Sequence, residues 1–179
     1  MNYGLPTALD VNGTSYPIRS DWRAALDVIS ALNDPNLTDV DKAVVVLGII
    51  YVEQPKDADE ALKQAMWFIS GGSDEKPKKT RKKLMDWEQD FPFIIVAVNN
   101  VAGKELRSEK YCHWWTFLGY YQSIGDSAFT QIVSIRKKKQ SGKKLEQYEK
   151  DFYRENREAI DFKTKYTDEE LEVIKSLVR

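Results

Sequence analysis

Cys112 and His113, the only cysteine and the only histidine of the 179-residue chain, stand side by side in KYCHWWTFLGYYQSIGD, residues 110–126. Such residues could form a thiolate–imidazole pair or ligate zinc. Neighbours on a helix point about 100° apart, which places a nucleophile and its base poorly at i and i+1. Zinc needs further nitrogen or sulfur ligands, and the sequence has no other Cys or His to offer. A second constellation is Asp86 and Asp90 in MDWEQD, at i and i+4 with Glu88 between them. Paired carboxylates can transfer protons or bind a divalent ion. No nucleophile, Gly-rich loop or further ligand accompanies them, and ahead of the apolar FPFIIV they read as charges of a helix N-terminus. The third is a pair of basic runs, KPKKTRKK and RKKKQSGKK. Lys78, Lys79, Lys82, Lys83, Arg136, Lys137 and Lys138 are the candidate contacts to a partner or to phosphates, with Trp87, Tyr148 or Tyr153 placed to stack on bases. Against this, the net charge is −1 and an acidic stretch, 146–170, follows the second run directly. Nucleic acid is therefore disfavoured as a ligand. No GxGxxG, P-loop, CxxC, HExxH or GxSxG occurs, so the expectation is a protein that is not an enzyme and has no cofactor or metal.

The elements that must position these residues are mostly helical. TALDV and TSYPI flank Asn12-Gly13, the dipeptide of a type I′ hairpin turn. Ser20 is the candidate N-cap of a helix whose face is Trp22, Ala25, Leu26 and Ile29, ended by Asn33-Asp34-Pro35. Leu37 to Val52 has the β-branched density of a strand, but its length and the TDVD opening predict a helix capped by Thr38 or Asp39. DADEALKQAMWFISGG is a third helix, closed by Gly71-Gly72. SDEKPKKTRKK then carries six positive charges and no aliphatic or aromatic residue, and reads as a solvated linker. This sets the domains at 1–72 and 84–179 with a basic linker at 73–83.

In the second block Asp86 or Asp90 caps a helix with Pro92 in its first turn and Ile94, Ile95, Val98 and Val101 inward. Tyr111, Trp114, Trp115, Leu118 and Tyr121 form one stripe of the next helix, and His113, Phe117, Tyr120 and Ile124 another. A helix apolar on two faces is buried among others. Tyr111, His113, Trp114, Trp115, Phe117, Leu118 and Tyr121 are accordingly assigned to the core. DSAFTQIVSIRKKK follows as a helix with a basic end that suits its dipole. KKLEQYEKDFYRENREAIDF reads as one long charged helix, and Thr167 to Glu170 caps a last one with Leu171, Ile174, Leu177 and Val178. The fold class is mainly α, a multi-helix bundle with a small N-terminal β-hairpin.

A 42% hydrophobic content supports a real core, and one cysteine excludes an internal disulfide. The N-terminus lacks the pattern of a signal peptide, and the longest apolar runs are too short to span a bilayer. A soluble intracellular protein is expected, with no membrane partner. The surplus of apolar helix faces points to a protein partner or to self-association.

In order, MDWEQDFPFIIVAVNNVAGKEL and KYCHWWTFLGYYQSIGDSAFTQIVSIRKKK resemble the phage Gp-fifteen family. That family has an acidic–aromatic–acidic opening, an apolar helix, an HWW-aromatic helix and a helix ending in a basic I-x-x-I-R run. The likeness covers about residues 84–158, is strongest at His113-Trp114-Trp115 with Phe117 and at Ile132 to Arg136, and the front of the chain also fits. It implies a non-catalytic protein of long-tailed phages and prophages of Gram-positive bacteria, working in the host cytoplasm. The genes of this family typically lie between those for the tail tube and the tape measure, where tail assembly chaperones are encoded. The resemblance thus implies the tape-measure protein or other tail proteins as partners. The Lys-rich linker departs from the family pattern, and the alternative is a small helical nucleic-acid-binding or regulatory adaptor using the Lys/Arg-rich segments.

Overall fold

The computed structural model describes residues 4–73, 82–164 and 166–177. Among them lie nine helices and one two-stranded antiparallel sheet, so the chain is mainly α with a small N-terminal hairpin. The chain forms two compact units. One takes in the described residues up to 73 together with His113–Trp115 and the stretch from Thr164 onward, and the other holds the rest.

In the first unit β1 (Ala8–Val11) pairs with β2 (Thr14–Pro17). Asn12 and Gly13 join them with φ of 54° and 80°, the positive pair that a type I′ turn requires. Leu9 and Val11 turn inward. Helix α1 (Trp22–Leu32) is capped by Asp21, one residue past the expected Ser20, because the Asp21 carboxylate accepts the N–H of Arg23. Helix α2 (Asp39–Ile50) is the β-branched run. Thr38 and Asp41 close a reciprocal capping box at its start, and local capping with burial of Val46, Leu47 and Ile50 outweighs strand propensity. Its other end is held by Arg19, whose Nη1 donates to the carbonyls of Gly48, Ile49 and Tyr51 at 3.0, 3.0 and 2.6 Å. Carbonyls of a last helical turn have no intrahelical donor, and this guanidinium supplies one. Helix α3 (Ala58–Ile69) starts on Asp57 and buries Ala61, Ala65 and Phe68. The Tyr51 hydroxyl donates to the Ala61 carbonyl at 2.9 Å, and burial, helped by the charge of Glu60, pushes the phenol up to about 12.

In the second unit α4 (Trp87–Ala102) is capped by Asp86, which accepts the N–H groups of Glu88 and Gln89. Pro92 is the sixth residue of this helix and not part of its first turn, as the spacing suggested. The Glu88 carbonyl therefore receives no N–H from position 92. Gly103, at φ 69°, ends the helix in the left-handed region. Helix α5 (Trp114–Gln122) is followed by α6 (Ala128–Gln140), which has a Ser127–Thr130 capping box and three lysines in its last turn. The long charged helix expected next is two pieces, α7 (Gln147–Glu155) and α8 (Arg157–Ile160). Asn156 breaks it at φ −120°, its amide Nδ2 donating to the Phe152 carbonyl at 3.0 Å. The break carries Ile160 into a cluster with Ile132 and Ile135, packed by Phe93, Leu145 and Phe152. The last helix, α9 (Asp168–Leu177), belongs to the first unit. Residues 74–81, most of the expected linker, lie outside the described residues.

Candidate functional site

The HWW segment is built into the first unit by backbone and ring hydrogen bonds. His113 forms an isolated antiparallel bridge with Asp21, and the Trp114 N–H donates to the Ser20 carbonyl at 2.8 Å. The two indoles reach the end of α3, Trp114 Nε1 donating to the Ile69 carbonyl at 2.9 Å and Trp115 Nε1 to the Phe68 carbonyl at 2.8 Å. These are carbonyls of the last turn of α3, so the tryptophans also finish that helix. The Trp115 ring lies edge-on to Trp67 and stacked on Phe68, with centroids 5.3 and 6.1 Å away.

Both nitrogens of His113 are engaged. Nδ1 accepts the Trp115 N–H at 3.0 Å, so the ring proton resides on Nε2, which donates to the Pro6 carbonyl at 2.9 Å. An imidazole held this way orders structure and has no nitrogen left to transfer a proton or bind a metal. Residues 111–113 precede α5 and are not helical, which corrects the stripe drawn through Tyr111 and His113. Tyr111 is 53% exposed and does not belong to the core. Helical spacing placed it beside Trp114, whereas the bridge from His113 to Asp21 extends the chain there. His113, Trp114 and Phe117 are buried, and Trp115, Leu118 and Tyr121 half-buried. In the second unit Tyr121 packs on Trp87 at 4.7 Å and on Phe129 at 5.8 Å.

Arg136 is the largest departure from the sequence reading. It is 3% exposed and cannot be a surface contact to a partner or phosphate. Its Nη1 and Nη2 grip the Asp90 carboxylate at 2.6 and 2.8 Å. The remaining donors go to the carbonyls of Ile160 (2.6 Å), Leu84 (3.1 Å) and Ala159 (2.8 Å). A guanidinium has five N–H groups, and here five acceptors meet them. The Phe162 ring covers its face at 4.1 Å. Asp90 is fully buried and also accepts the Asp86 N–H at 2.9 Å, so it does more than charge a helix start. The signal was legible: Arg136 continues the inward stripe of Ile132 and Ile135, where an unpaired charge cannot remain.

Of the other basic candidates, Lys78 and Lys79 lie outside the described residues. Lys83 pairs with Asp86 at 2.5 Å, and Lys138 bonds both oxygens of the buried Glu149 at 2.6 and 2.7 Å. That hydrogen bond holds the Glu149 carboxyl below the ordinary carboxylate range. Lys82 and Lys137 are exposed. The two basic runs meet, since Lys82 Nζ donates to the Gln140 carbonyl at 3.3 Å and Gln140 Nε2 to the Lys83 carbonyl at 2.6 Å. Among the described residues no three His, Cys, Asp or Glu side chains gather as a metal site would. No helix among them is long and apolar enough to cross a membrane.

Exposed apolar side chains occur on several helices: Val40 and Val44, one turn apart, on α2, Val96 and Val101 on α4, and Leu171, Val173 and Leu177 on α9. The charged groups inside thus serve the fold. This defines a mainly α protein with an N-terminal hairpin and uncovered helix faces. Residues 1–162 match the family described as Bacteriophage Gp15 protein, and the chain belongs to that family of phage proteins. No curated protein and no solved structure matches it.

Proposed function

We propose that this phage protein is a non-catalytic tail assembly protein, a chaperone that holds the tape-measure protein in the host cytoplasm until tube subunits replace it. Family membership over residues 1–162 carries the reading, because the resemblance implies a gene beside that of the tape measure. The exposed valines of α2 support it: Val40 and Val44 stand at the i and i+4 spacing by which a long helical client is held through apolar contacts. Co-expression with the cognate tape-measure protein tests it. The client should become soluble and co-purify, and should remain insoluble beside an unrelated helical protein of similar charge. Equal solubility with and without this chain would sink the reading.

The junction of Lys82 with the end of α6 favours a second reading, a nucleic-acid-binding adaptor. It requires binding that weakens steeply with salt and is lost when Lys78, Lys79, Lys82 and Lys83 become Gln. The tail reading expects the same variant to solubilise the client normally.

A further inference from the structure

We infer that His113 makes the HWW segment a proton-operated latch on the first unit, closed while the imidazole is neutral and released when it takes a second proton. The inference goes beyond the tail reading and does not depend on it. The Trp115 N–H can only donate and the Pro6 carbonyl can only accept, so the closed ring must accept at Nδ1 and donate at Nε2. Protonation puts a hydrogen on Nδ1, which stands 3.0 Å from the Trp115 nitrogen, and two N–H groups then face each other. The ring is buried, so the displaced donors reach water only if the segment moves. His113 is also the residue before α5, and its Nδ1 serves as an N-cap acceptor for the second helical residue. An imidazolium there loses the cap and meets the positive end of the helix dipole.

The bridge partner of His113 does not offset that charge. Asp21 is itself the N-cap of α1, so a second helix start stands at the same bridge. Its carboxylate is committed to the Arg23 N–H at 3.0 Å and to the Arg23 guanidinium at 3.1 and 3.3 Å. Cys112 is the titratable group next along the chain. From α3 the ring meets Phe68 edge-on at 5.8 Å, from α5 it meets Trp115 edge-on at 6.0 Å, and the N-terminal stretch offers the Pro6 carbonyl. Release of the ring undoes the contacts around it together. The Trp114 N–H leaves Ser20, both indoles leave the last turn of α3, and the Pro6 carbonyl loses its donor. The open form bares the Trp67 and Phe68 rings against which Trp115 lies.

Nuclear magnetic resonance on the full chain, labelled with nitrogen-15 and titrated from pH 7 to pH 5, tests this. His113 is the only histidine, and carboxylates titrate lower, near about pH 4, so the window isolates the imidazole. The open form binds one proton more than the closed form, so the latch holds above the imidazole range and gives way as pH falls through it. An imidazole in opened chain is half protonated near about pH 6.5, and the open population should rise about twenty-five-fold across the window. At pH 7 long-range nitrogen–proton correlations should show the ring proton on Nε2. Protection of the Trp114 and Trp115 amides, corrected for the intrinsic exchange rate at each pH, should fall by that factor, while amides of α6 change less than about twofold. His113→Asn offers the Trp115 N–H an acceptor that takes no proton, and there the fall should shrink below about twofold. If that variant does not fold, the wild type alone decides: a ring proton on Nδ1 at pH 7, or amide protection that is constant across the window, would overturn the inference. So would an equal fall in α6, which makes the opening global, or a full fall that persists in a folded His113→Asn chain.

Discussion

Replacing Arg136 with Met keeps a long apolar stem and removes the guanidinium. Asp90, fully buried, would then keep only the Asp86 N–H, and the carbonyls of Leu84, Ala159 and Ile160 would each lose a donor. Removing one partner of a buried pair costs about 3–5 kcal/mol, because the other charge is stranded. At about 4 kcal/mol, and about 2–4 °C per kcal/mol for a chain of this size, the melting temperature should fall by about 8–16 °C. Urea denaturation followed by circular dichroism measures the loss, and amide exchange should locate it in α4, α6 and α8. The double variant Asp90→Leu, Arg136→Met should recover most of it, since two apolar groups need no partner. A single variant within about 1 kcal/mol of wild type would refute the assignment of Arg136 as the centre of that unit.

Three further outcomes follow from the same structure. Trp114→Ala removes a ring that is almost wholly buried and the donor to the Ile69 carbonyl, and should cost about 3–5 kcal/mol in a urea titration; a change below about 1 kcal/mol would show that the ring is not packed. Gly72→Ala should lower the melting temperature measurably, because φ is +80° and the new Cβ would stand 2.8 Å from Trp115 Cη2; an unchanged melt would contradict that approach. Burial works to raise the Asp86 carboxyl, but Lys83 and the N–H groups of Gln89 and Glu88 outweigh it and hold it below its ordinary value. A lowered carboxyl stabilises the fold above its unfolded value, near 3.8, and the contribution disappears as pH falls through the folded value. Urea midpoints measured from neutral pH downward should therefore drop below about pH 4, and Asp86→Asn should flatten that drop; parallel curves would refute it.

The hairpin was legible because Asn12-Gly13 specifies its own turn, and α2 because Thr38 announces a helix more strongly than valines announce a strand. Asp86 as a cap and the basic end of α6 follow from the same local rules. What local rules missed was long-range. Nothing near Tyr111 says that residues 111–113 run extended, because the cause is Asp21, some ninety residues earlier. Asn156 breaks a helix that periodicity continues, because the cluster around Ile160 and the demands of Arg136 outweigh propensity. Asp90 and Arg136 each had a bland local explanation, a helix charge and a basic run. The stripe of Ile132 and Ile135 could have placed Arg136 inside, but that Asp90 is its partner shows only in space.

The first unit is not contiguous along the polypeptide: its described part stops at residue 73 and resumes at His113. On a ribosome adding about 5–20 residues per second, roughly 2–9 seconds separate synthesis of the last turn of α3 from arrival of the two indoles that bond its carbonyls. During that interval the α3 turn presents Phe68 and lacks both indole donors, so the Ile69 carbonyl waits for Trp114 while the Phe68 carbonyl is met by the Gly71 N–H alone. The order of synthesis thus opposes early closure, and the hairpin with its three helices should mature only after residue 115 has emerged. Nascent chains arrested with residue 110 exposed should be cut by protease within the first seventy residues, and chains arrested past residue 150 should resist. Equal resistance at both lengths would mean that the early helices close without their tryptophans.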